Sequence, residues 1–230
     1  MANELSRIAA ADPSICLHDA FQVIKSDHRW VHNTGDSSLP APITSYVYPG
    51  CGFGGSCFPK DVEAVANYAN AAQLSTPILT AILEVNNSQP AYSISLIDDW
   101  LLKPNARILL LGISFKPETD DFRESPAIKI IRNLLNRGHN VSIHDPMVDL
   151  QKFALEHFPS DSLTLVESLD KGVSLAEIIF LCTPWHHYHQ LHRLQIKYPS
   201  RKIFDARSVL HNDLFDDWDY RSLASKENSR

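Results

Sequence analysis

RILLLGISFKPETDDFRESPAIKIIRNLLNRGHNVSIHDP, residues 107–146, decides the fold of the second half of this chain. RILLLGI (107–113) is an unbroken apolar run of strand length, as a strand buried on both faces requires. SPAIKIIRNLLNRG reads as a helix, with Ser125 as N-cap, Pro126 at its first position and Gly138 closing it. VSIHDP returns as a strand. The alternation continues with DLQKFALEHF (helix), LTLV (strand), ESLDKGVSLA (helix), EIIFLCT (strand), YHQLHRLQI (helix) and RKIFDAR as the last strand. Such an order predicts an α/β fold with a parallel, doubly wound, Rossmann-like sheet over residues 104–215.

Lys103-Pro104-Asn105 marks a boundary, and the pattern before it is helical. ANELSRIAAA and ICLHDAFQVIKS read as helices, 27–49 as a long loop, and a helix starts near Lys60. A further helical stretch runs from Thr76 to Leu102, with a kink or break expected at Pro90. The chain is thus expected to divide into a helical central region, 1–103, and a Rossmann-like domain, 104–230.

Acidic residues outnumber basic ones, 27 to 21, so the overall field disfavours nucleic acid and anionic membranes as partners. No apolar run reaches the ~20 residues of a membrane span. The N-terminus lacks the basic-then-apolar order of a secretory signal, and four scattered cysteines fit neither zinc spacing nor a disulfide scaffold. The cytoplasm is the expected location.

GCGFGGSCFPK (50–60) contains the glycine spacing of a dinucleotide fingerprint. Pro49 removes a backbone donor where the preceding strand would end, and QLSTPILTAI, where a ribose-binding acid is due, has none. The fingerprint reading therefore fails. Alternatively, Gly54, Gly55 and Ser56 let the backbone approach a ligand, and Cys57 sits at a helix N-terminus beside Lys60, conditions that favour a thiolate. Asp61, one turn on, would orient a water or a proton carrier. A structural thiol in a glycine-rich turn is equally compatible with these residues.

YPGCGFGGSCFPKDVEAV (48–65) resembles the active-site segment of the UDP-glucose/GDP-mannose dehydrogenase family of nucleotide-sugar dehydrogenases. SDHR (26–29), LLLGISFKPETDDFRES (109–125) and FDARSVL (204–210) match in order. The resemblance implies two successive NAD-dependent oxidations of a sugar C6 alcohol to the acid, most like UDP-glucose to UDP-glucuronate. Cys57 is implied as the nucleophile that holds the aldehyde as a thiohemiacetal and then a thioester, with Asp61 supporting the water or oxyanion step. By position, Tyr46, Tyr48, Gly50 and Gly52 would line the sugar and diphosphate. Phe115 and Lys116 would hold the nucleotide, and Arg207 would contact substrate. Arg123 and Lys60 would serve NAD. Arg29 would be lent to the neighbouring subunit's site, within a homodimer built on helices around 60–102.

Family members begin with an NAD-binding domain and a helix carrying a Lys and an Asn, and the resemblance here starts downstream of both, at ANELSRI. The chain is therefore expected to be a C-terminal portion, inactive alone, with a separately encoded NAD-binding half as a possible partner. The alternative is a non-catalytic nucleotide-sugar-binding and dimerisation module. WHHYHQLH (185–192) reads as surface rather than a metal site, and Asp145 as a turn residue before Pro146.

Overall fold

The computed structural model describes residues 1–223 except 13–14, 16, 34–37, 42 and 45–46. Helices α1 (Ala2–Ala9) and α2 (Leu17–Lys25) open the chain. The stretch expected to be loop carries a 3-10 turn (His28–Trp30) and a small antiparallel hairpin of β1 (Val31–Asn33) and β2 (Ser38–Pro40). Strand signals there are hidden by prolines and turn residues, and three-residue strands leave no periodicity to read.

Helix α3 (Phe58–Ala71) starts directly after Cys57, its N-cap residue, with Pro59 in the first turn. Helix α4 (Pro77–Ser95) continues unbroken through Pro90, where the sequence led to the expectation of a kink or a break. Pro90 has no N–H for the Asn86 carbonyl, which in a regular helix costs a few kcal/mol. Burial of Gln89, Pro90, Ser93 and Ile94 keeps the helix in place. A 3-10 turn, Asp98–Leu101, follows as a separate element.

The second half holds a six-stranded sheet, β3 (Arg107–Leu111), β4 (Asn140–His144), β5 (Leu163–Leu165), β6 (Ile178–Leu181), β7 (Lys202–Asp205) and β8 (Asp219–Ser222). Its order is β5-β4-β3-β6-β7-β8, every pair parallel. This is the doubly wound order, and its direction reverses between β3 and β6. Along β3, Ile108 and Leu110 face one core, packed with Ile130, Ile131 and Leu134 of α5 (Pro126–Asn136) and with Ile94 and Ile97. Leu109 and Leu111 face the other, with Val173 of α7 (Leu169–Leu175), Tyr188 and Trp218. Two covered faces explain why the sequence run is continuous rather than alternating.

The expected caps of α5 form: Ser125 Oγ accepts the Ala127 N–H, and Gly138 takes φ +79°. Asp149 caps α6 (Leu150–His157) by accepting the Lys152 N–H. Two expectations are corrected. The segment His186–Leu194 is 3-10 rather than α-helical, and RKIFDAR is not the last strand, since β8 follows it. DWDYRS reads as too polar for a buried strand. Arg221 is tolerated there because the Asp99 carboxylate takes both its terminal nitrogens (2.6 and 2.8 Å) and the Trp100 ring lies 4.4 Å away.

Candidate active site

The loop 50–57 is clamped from the helical side by side-chain amides. Gly50 N–H donates to Asn3 Oδ1 (2.8 Å) and its carbonyl accepts from Gln89 Nε2 (2.9 Å). Phe53 N–H donates to Asn86 Oδ1 (2.8 Å) while Asn86 Nδ2 donates to the Phe53 carbonyl (3.1 Å), a two-bond pairing like that between strands. Arg7 in turn donates to Gln89 Oε1 from Nε and Nη2, at 3.0 and 2.7 Å, fixing that amide's orientation.

From the other side, the segments after β3 and β7 press on the loop, and this contact accounts for the glycines. A Cβ at Gly50 would sit 2.3 Å from Arg207 Nη1, and one at Gly54 2.3 Å from the Glu124 carbonyl oxygen. One at Gly55 would sit 3.0 Å from the Phe115 ring, and Gly55 N–H donates to the Arg123 carbonyl at 2.9 Å. Cys57, two residues on, is exposed. Among the described residues no hydrogen bond joins a histidine to Cys57; its sulfur lies 3.6 Å from Ser56 Oγ. Lys60 and Asp61 are both exposed in the first turn of α3.

Arg207 is aimed by its own loop. Its backbone N–H donates to Asp205 Oδ1 (2.9 Å) and its Nε to the Cys182 carbonyl (2.7 Å). Asp205 is fully buried and also accepts from Val209 N, Leu210 N and the Tyr220 hydroxyl. Burial pushes its carboxyl above the ordinary range despite those donors. Tyr48 donates to the Ser208 carbonyl at 3.2 Å, tying the start of the glycine run to the same loop.

The turn after β3, at the sheet's switch point, requires glycine: Gly112 has φ +86°, and a Cβ there would collide with Thr183. Beside Cys57, Arg123 and Lys60 are exposed cations, with Arg123 held by two bonds to Asp121 (2.9 and 2.8 Å), and such a set suits an anionic dinucleotide.

These halves correspond to two known protein modules. Residues 1–88 match the model of the UDP-glucose/GDP-mannose dehydrogenase family, central domain, and residues 109–212 the model of the same family's UDP binding domain. The chain belongs to that family. It is 33% identical over 74% of its length to the UDP-glucose 6-dehydrogenase of Rickettsia bellii, of which it covers 40%. The GDP-mannose 6-dehydrogenase of Azotobacter vinelandii is 34% identical over 59% of this chain and 32% of that protein. A solved UDP-glucose dehydrogenase from Pyrobaculum islandicum superposes with a TM-score of 0.79 at 30% identity, covering 97% of this chain and 47% of that one. The chain thus spans less than half the length of these dehydrogenases.

Of the residues expected from the family resemblance, Gly50, Gly52, Cys57, Phe115, Arg123 and Arg207 are gathered around one loop. Lys116 lies exposed next to Phe115, its Nζ 5.6 Å from that ring's centre. Arg29 is elsewhere, in the 3-10 turn, exposed and folded back on Asp27, whose carboxyl it holds far below the usual range. Tyr46 lies outside the described residues. Among the described residues no group of three His, Cys, Asp or Glu is arranged to hold a metal, and no helix is long and apolar enough to cross a membrane.

Sequence reasoning missed the clamp of Asn3, Asn86 and Gln89. Its one signal is two amides, Asn86 and Gln89, at i and i+3 on α4. It also underrated Asp145, whose Oδ1 accepts from Met147 N and Val148 N, the expected turn role. Oδ2 accepts from Ile113 N (2.7 Å), Ser114 N (3.1 Å), Ser114 Oγ (3.2 Å) and Trp185 Nε1 (3.2 Å). Asp145 thereby fixes the turn that presents Phe115.

Proposed function

We propose that this chain provides the sugar-nucleotide site and the reactive thiol of an NAD-dependent nucleotide-sugar 6-dehydrogenase, with UDP-glucose as its substrate. The observation that carries the reading is the seating of Phe115 and Arg207 on Gly55 and Gly50, in the loop that leads directly to Cys57. In this reading residues 104–230 form the UDP-binding domain, and Phe115 and Lys116 hold the nucleotide. Arg207 binds the diphosphate, and Tyr46, Tyr48, Gly50 and Gly52 line the sugar. Arg123 and Lys60 would hold NAD, which when bound would accept one hydride from the C6 alcohol and, as a second NAD, one from the carbon held on Cys57. The Cys57 sulfur adds to the aldehyde carbon while the carbonyl pair moves to oxygen, so the carbon stays attached until it reaches the acid level. Asp61 takes a proton from the water that opens the thioester. Residues of 1–103 also form a homodimer through α3 and α4, and Arg29 serves the partner's site.

Alkylation provides the test. Cys57 is exposed, whereas Cys51 and Cys182 are buried, so iodoacetamide distinguishes it from them. UDP-glucose is expected to slow Cys57 labelling, and Arg207→Ala to raise the concentration needed by about tenfold or more, the loss of one charge-assisted contact. Labelling indifferent to UDP-glucose overturns the reading. The alternative reading is a sugar-nucleotide-binding and dimerisation module without catalysis. It gains if UDP-glucose protects Cys57 but no NADH forms when a family dinucleotide-binding domain is supplied.

A further inference from the structure

The pair Cys51 and Cys182 is used by none of this chemistry. Cys51 lies between Gly50 and Gly52 in the clamped loop, and Cys182 is the first residue past β6. Their side chains are wholly buried, and the two sulfurs are 3.2 Å apart across 131 residues of sequence. The Cys51 sulfur also lies 3.7 Å from the Cys182 carbonyl, the same oxygen that accepts Arg207 Nε at 2.7 Å. Among the described residues Cys57, by contrast, has a serine hydroxyl rather than a second sulfur beside its own sulfur. We propose that Cys51 and Cys182 are a site of disulfide formation by peroxide, a cross-link that staples the glycine loop to the end of β6.

A disulfide needs the sulfurs at about 2.05 Å, so closure requires a movement of roughly 1 Å. Loop residues flanked by two glycines can supply it. The two thiols are unequal. Sharing the Cys182 S–H, together with the Arg207 charge, lowers the Cys51 thiol, while the neighbouring Cys51 sulfur and burial raise that of Cys182. Cys51 is therefore the sulfur that attacks first. Its thiolate takes one peroxide oxygen, the O–O bond breaks, and hydroxide leaves to be protonated to water. The Cys182 sulfur then attacks the Cys51 sulfenic acid, the S–O bond breaks, and the departing hydroxide takes the Cys182 proton as a second water. Two thiols lose two electrons and one peroxide gains them. Hydrogen peroxide, little larger than water, is the oxidant class suited to a buried pair.

The test does not depend on the role given to Cys57. The reduced 230-residue chain is treated with hydrogen peroxide while folded, unfolded into iodoacetamide, and digested without reductant for mass spectrometry. The expected product is a Cys51 peptide joined to a Cys182 peptide, two hydrogens lighter than their sum. In Cys51→Ser it disappears and Cys182 is recovered alkylated; in Cys182→Ala it also disappears, and Cys51 is recovered carrying added oxygen. Recovery of both as alkylated thiols while Cys57 is oxidised overturns the proposal, as does a cross-link joining either to a different cysteine. Should both variants fail to fold, the product map of the unaltered chain still decides.

Discussion

At Gly54 an added Cβ would lie 2.3 Å from the Glu124 carbonyl oxygen and 2.8 Å from its carbon, backbone atoms that cannot turn aside. At Gly50 the same distance separates a Cβ from Arg207 Nη1, the far end of a flexible side chain. The two alanine substitutions therefore differ in kind. Gly54→Ala is expected to lower stability by about 1–3 kcal/mol, the usual cost of overpacking, read as a reduced urea midpoint. Gly50→Ala is expected to leave the midpoint nearly unchanged and to weaken UDP-glucose protection of Cys57, because the guanidinium is displaced. Equal urea midpoints for both variants would rule out the packing described for Gly54. Only part of this was legible in the sequence. The glycine string is unmistakable. What each glycine accommodates was not legible, because Glu124 and Arg207 reach the loop from 70 and 157 residues away in the chain.

The end of β4 places His144 between the sheet and the 3-10 segment 186–194. Its Nδ1 lies 3.1 Å from the Tyr188 hydroxyl, which donates to the His144 carbonyl at 3.0 Å, and its ring stacks on His187 at 5.8 Å. Burial, reinforced by His187 and opposed by Asp145, brings its pKa down to about 4. The unfolded chain, with histidine near 6.5, binds the proton more readily between those values. Stability is therefore expected to fall as pH drops from about 6.5 to 4, with about 2 kcal/mol lost by pH 5. Urea midpoints at pH 7 and pH 5 measure this, and His144→Gln should remove most of the difference. His139 and His189, also lowered by burial, leave a residual slope of the same sign. An unchanged slope in His144→Gln would show that His144 is not the group responsible. The Asp99 and Asp121 carboxyls, lowered by Arg221 and Arg123, lose their share only at more acid pH. Elements of this kind divide sharply in legibility. Helix α5 announces itself through Ser125, Pro126 and Gly138, whereas β8 was missed because Arg221 becomes buried only through Asp99 and Trp100, far away in sequence. Pro90 misled for a related reason, since local propensity gave way to packing.

Phe58, Val65 and Tyr68 line one side of α3, exposed by 57%, 55% and 77%, and Leu74 and Ile78 continue the apolar surface onto the start of α4 at 63% and 74%. An exposed patch of this kind marks an interaction surface. The homodimer proposed above would cover it. Tyr68→Glu combined with Ile78→Glu is expected to convert a dimer into a species of 25.9 kDa in sedimentation equilibrium. An unaltered chain that is already monomeric at micromolar concentration would remove the basis for that assembly. The two-sided grip on residues 50–57 also determines how the molecule can be cut. Severing it at 103–105 would put the thiol of Cys57 on one fragment and Phe115, Arg123 and Arg207 on the other. The two pieces would have to find each other before ring, cations and sulfur stood together, so fragment complementation becomes a direct gauge of how firmly that grip closes.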